Sequence, residues 1–83
     1  MQRVATADAT IDIRNSAPPL SILKTHWTLR QLDEGQTLEV LCGDRETKED
    51  LLHIINKSVA HKVIGVWEEK SYWRILISRP KKD

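Results

Sequence analysis

The chain of 83 residues carries 13 basic and 12 acidic side chains, a formal charge of +1, and 40% apolar residues. This size allows one small domain with one modest core, and the near-neutral balance gives no general attraction to nucleic acid or to a membrane surface. The longest uncharged stretch, residues 15–23, is too short to span a bilayer, and the single cysteine, Cys42, excludes an internal disulfide framework and a cysteine metal cluster.

Residues 1–8 are polar and weakly patterned, which predicts a loose N-terminal tail. No apolar run of signal-peptide type follows Met1, so a cytoplasmic protein is expected. Ala9-Thr10-Ile11-Asp12-Ile13-Arg14 alternates, with Ile11 and Ile13 on one face, and predicts a strand. Asn15-Ser16-Ala17-Pro18-Pro19-Leu20-Ser21 follows. Each proline pushes its predecessor out of the α region, yet proline suits a first helical turn, where its missing N–H is not needed. A helix is expected over 19–33, ended by Gly35. A second strand is expected over 37–42, then a turn at Gly43-Asp44-Arg45. A second helix is expected over 46–58, with Glu46, Glu49 and Asp50 favoured by the dipole at its start. Its apolar positions Leu51, Ile54, Ile55 and Val59 recur at helical spacing. A hairpin of strands 62–67 and 72–78 closes the pattern around Glu68-Glu69-Lys70-Ser71. Residues 80–83 read as a charged tail beyond a single domain spanning 9–79. The order β-α-β-α-β-β predicts an α+β two-layer sandwich, with two helices on one face of a four-stranded mixed sheet. Its other face would be partly open.

These residues resemble the TusA/SirA family of small bacterial sulfur-carrier proteins. Ile11-Asp12-Ile13-Arg14 resembles the opening strand, and Leu29, Leu32 and Gly35 the end of the first helix. Thr37-Leu38-Glu39-Val40 resembles the second strand, Asp44 the turn and Asp50-Leu51 the second helix. Ala60-His61 resembles the family's Gly-His, and Tyr72-Trp73-Arg74-Ile75-Leu76-Ile77 the last strand. The resemblance implies a Cys-Pro-x-Pro motif opening the first helix, whose cysteine carries a persulfide sulfur to a partner. At that place this chain has Pro18-Pro19-Leu20-Ser21. Pro18 stands where the cysteine is expected, Pro19 keeps the first proline, and Ser21 replaces the second. Asn15 replaces a glycine and Arg45 the turn proline. Proline offers neither a nucleophile nor an N–H.

The expected function is therefore a non-catalytic protein-binding or regulatory module on a sulfur-carrier fold. One alternative is sulfur transfer through Cys42 by a shifted geometry, against the simpler role of Cys42 as a small buried hydrophobe. Another is RNA binding, which rests on fold analogy alone. His26, His53 and His61 lack metal-ligand spacing, and no phosphate loop, catalytic pair or cofactor motif is present, so no cofactor is expected. The N–H groups of Leu20, Ser21 and Ile22, with the Ser21 hydroxyl, form a candidate anion site. Ile22, Thr25, Leu29 and Leu32 are expected to face the core. Leu20, Leu23 and Trp27 form a second stripe on nearly the opposite side of the helix, a candidate partner surface unless Trp27 folds over the groove beside the second helix. Leu41, Ile64, Val66 and Leu76 are expected to share the open sheet face, where a homodimer could bury them.

Overall fold

The computed structural model describes residues 7–81 and contains six elements among them. They are β1 (Ala9–Asp12), α1 (Leu20–Arg30), β2 (Thr37–Cys42), α2 (Arg45–Asn56), β3 (Lys62–Glu68) and β4 (Trp73–Ser78). The strands form one sheet in the order β1-β2-β4-β3. β1 runs parallel to β2, while β4 pairs antiparallel with both β2 and β3. The helices pack on one face, so the two-layer α+β sandwich read from the sequence is the observed fold. Residues 1–6 and 82–83 of the expected tails lie outside the described residues. Within the first tail, Asp8 is tied to the sheet: its carboxylate accepts from the Thr37 amide at 2.8 Å.

Period-two patterning puts alternate residues of β2 and β4 on the helix side. Leu38 lies opposite Ile77 and Val40 opposite Ile75. With Ile13, Cys42, Leu29, Leu32, Leu51 and Ile55 they form the core, each large aliphatic contributing about 1.5–3 kcal/mol by its burial. α2 begins at Arg45 because Asp44 caps it, its carboxylate accepting from the Thr47 amide at 2.7 Å. It ends at Asn56, two residues earlier than expected. Leu51 and Ile55 face the core, Ile54 is partly exposed, and Val59 lies beyond the helix in solvent.

Three expectations need correction. α1 ends at Arg30, not Asp33. The amides of Gln31 and Leu32 bond back three residues to Thr28 and Leu29, which tightens and ends the last turn. Gly35 is accordingly no helix cap. It sits at φ +87° in the turn into β2, its amide bonded to the Arg79 carbonyl. The core stripe of α1 is Ser21, Thr25 and Leu29, with Ile22 only partly buried. Finally, Leu41, Ile64, Val66 and Leu76 do not share a face. The β3–β4 register shifts between Val63 and Gly65, and the extra residue reverses the alternation beyond it. Val66 thus lies opposite Ile75 on the helix side, and Trp67 opposite Arg74 on the open side. Val66 thereby leaves the candidate homodimer surface, while Leu41 and Leu76 remain on the open face.

Candidate functional site

The loop from β1 to α1 is held at several points. Ile13 is buried and donates its amide to Leu41, and Ser16 donates back to Ile13. Arg14 clasps Asp12 through both carboxylate oxygens, at 2.9 and 2.7 Å, and adds its backbone amide at 3.0 Å. The guanidinium also lies 4.9 Å from the centre of the Tyr72 ring. The Arg14 hydrogen bonds hold the Asp12 carboxyl at about 2, below its ordinary 3.8. The sign follows from the depressed value: the contribution to stability is complete above pH about 4 and is lost as pH falls through about 2. Urea midpoints of wild type and Asp12→Asn are therefore expected to differ at pH 5 and to converge at pH 2. Parallel curves over that range would contradict the pairing.

The loop delivers Pro18 and Pro19 to the entrance of α1, where both are exposed. Their peptide bond is cis. Pro19 is the N-cap and supplies no side-chain cap, and α1 has no acidic residue in its first turn. Of the candidate anion site, the two groups of Ser21 are withdrawn. The Ser21 amide already donates to the Ala17 carbonyl at 3.1 Å. The Ser21 hydroxyl is buried beneath the helix, without a hydrogen-bond partner among the described residues. A small side chain at that point lets the helix approach the sheet, so Ser21 is a packing residue.

Cys42 is fully buried at the end of β2, its thiol 3.4 Å from the Asp44 carbonyl oxygen. Burial pushes its pKa up, which disfavours the thiolate that sulfur chemistry needs. The three histidines are dispersed. His61 Nε2 lies 3.1 Å from the Leu29 carbonyl oxygen, which only accepts, so that nitrogen carries the proton and ties the α2–β3 connection to α1. No group of His, Cys, Asp and Glu among the described residues could hold a metal ion.

The outer face of α1 is the other prominent feature. Leu20 and Leu23 are each 62% exposed and Trp27 is 70% exposed. Trp27 therefore stands off the body of the protein and does not fold into the groove beside α2. That groove holds a cavity of about 130 Å³ with Ile22, Leu23, Leu29, Ile54 and Ile55 in its lining. It joins Leu23 to the partly exposed Ile54 of α2.

On the open sheet face, sequence reasoning missed a charged chain. Arg74 bonds Glu39 at 3.1 Å and Glu69 at 3.3 Å, and Glu39 also accepts from the Thr10 hydroxyl. The Arg74 guanidinium lies 4.6 Å from the Trp67 ring centre. Glu39 and Leu41 are adjacent open-face positions of β2, and Arg74 lies directly opposite Leu41. Only the strand order reveals that neighbourhood. No helix among the described residues is long and apolar enough to cross a membrane.

Comparison with known proteins gives a consistent picture. The sequence profile of the family described as Sulfurtransferase TusA matches residues 9–79. A protein of Archaeoglobus fulgidus, named as a candidate sulfur carrier, is 31% identical over 71 residues, covering 86% of this chain and 96% of that protein. A second, the candidate sulfur carrier YrkI of Bacillus subtilis strain 168, is 29% identical over 73 residues, covering 88% of this chain and 96% of that one.

Proposed function

Because the chain belongs to the TusA sulfurtransferase family, we propose that it works in sulfur relay as a non-catalytic module, a cytoplasmic protein that binds protein partners and carries no sulfur itself. The observation that carries this reading is the pairing of two facts. Prolines occupy the α1 entrance, where resemblance to the family sets its sulfur-bearing cysteine. The one thiol of the chain is buried, with a raised pKa. Proline can neither attack a persulfide nor hold its sulfur. A buried neutral thiol lacks both access and nucleophilicity. What the α1 entrance leads to is a surface, and the exposed Leu20, Leu23 and Trp27 are the groups on it with apolar area to bury.

Incubation of the native protein with a persulfide donor, followed by intact mass spectrometry, tests the reading. The expected spectrum shows the unmodified chain. Iodoacetamide is expected to label Cys42 only after denaturation. A stable added sulfur on Cys42 of the folded protein would make it a carrier after all.

A further inference from the structure

We propose that the outer face of α1 receives an amphipathic helix whose edges carry carboxylates; this rests on the reading of the chain as a protein-binding module and names the chemistry of its partner. α1 is Leu-Ser-Ile-Leu-Lys-Thr-His-Trp-Thr-Leu-Arg from Leu20 to Arg30, without a single acid. At 100° per residue Leu20, Leu23 and Trp27 centre on its exposed side. Lys24 flanks that stripe on one edge and Arg30 on the other. Neither cation makes a salt bridge among the described residues, though the Lys24 charge reaches the Asp12 carboxylate and helps hold its pKa down. Arg14, by contrast, is held by Asp12, and Arg74 by Glu39 and Glu69. Beside Trp27, the side chains of Arg30 and Gln31 border a hollow of about 250 Å³, a place where a carboxylate would meet a guanidinium next to an indole. Of the two helices only α2 carries acids, among them Glu46 two turns and Asp50 one turn before Ile54, so the cationic edges belong to α1.

An apolar stripe between two unpaired cations fits a partner with the opposite pattern, an apolar ridge between two rows of acids. Such an arrangement selects against wrong partners as well as attracting the right one. A second copy of this chain is a poor occupant, because two such faces packed together bring lysine and arginine against their own kind.

Two synthetic helical peptides sharing one leucine ridge, the first edged with glutamate and the second with lysine, serve as probes. Titration of ¹⁵N-labelled protein reads the binding site and calorimetry the affinity. The glutamate peptide is expected to shift the amides of residues 20–31 and to bind about tenfold tighter than the lysine peptide, an advantage that shrinks as salt rises. Lys24→Glu combined with Arg30→Glu is expected to reverse the preference. Trp27→Ala, at an exposed site that leaves the fold intact by circular dichroism, is expected to weaken both peptides. Equal affinity of the two peptides at residues 20–31 would overturn the charge inference while leaving the binding module standing. Failure of both to shift those residues, with Trp27→Ala silent, would overturn both. A dimer of the free protein that Trp27→Ala dissolves would give the face to a second copy and would also overturn the inference.

Discussion

Gly43→Ala is expected to destabilise the fold by about 1–3 kcal/mol, the usual range for overpacking a filled site. A Cβ at this position would stand 2.6 Å from the Arg14 carbonyl oxygen and 3.2 Å from the Arg14 Cα. Both obstacles are backbone, so no rotamer change relieves them. The loop cannot easily withdraw either, because the Ile13 amide is bonded to Leu41 and Arg14 is clasped to Asp12. Either the exit of β2 or the approach to α1 must move. For a domain of this size each kcal/mol lowers Tm by about 4–8 °C, and amide shifts are expected along residues 12–21. A variant that melts with wild type and shows no such shifts would mean the two segments do not meet at Gly43.

The second large effect is a gain of reactivity. In a Cys42→Ala background, Pro18→Cys places a lone thiol just before α1, on the exposed loop. No acid lies in the first turn of α1 to oppose the helix dipole. The thiol is therefore expected to ionise below the ordinary value of about 8.5. Alkylation rates followed against pH give that midpoint directly. At pH 7 the folded variant is expected to react at least about a hundredfold faster than Cys42 reacts in the folded wild type, since burial both hides Cys42 and raises its pKa. A midpoint at or above 8.5 would mean that the α1 entrance has no thiol-activating character. The proposal that prolines replaced a nucleophile on a retained platform would then fail.

Much of this architecture is legible in the residues because the patterns are local. Thr37–Cys42 forms the strand expected, residue for residue. The start of α2 is marked by its acids, and the D-x-x-T spacing of Asp44 and Thr47, in what the sequence suggests as a turn, is a capping signal as well. The errors arise where a local pattern meets a three-dimensional constraint. Gly35 resembles a helix stop, but a bond to Arg79 on a distant segment decides its conformation. Ser21 carries no apolar signal, yet close packing of α1 on the sheet needs a small residue there. Val66 falls on the face opposite to that expected because one extra residue in β3 shifts the period, and Gly65 within the strand is the signal of it. At the candidate site, the exposed stripe was visible as a surplus over one buried face. The engagement of the Ser21 amide was not, since it depends on where Ala17 turns back.

The irregularity in β3 has a value of its own. β3 is an outer strand of the sheet, and its middle, Val-Ile-Gly-Val-Trp, is the kind of segment on which chains stack into fibrils. At Gly65 a Cβ would fall 2.5 Å from the Trp67 indole, so the bare glycine is what lets the ring lie flat across its own strand. The kink spoils the straight ladder an incoming chain would need, and the folded ring roofs part of the rim. The most aggregation-prone border of the sheet thus stays blunt without a single charge along Val63–Trp67.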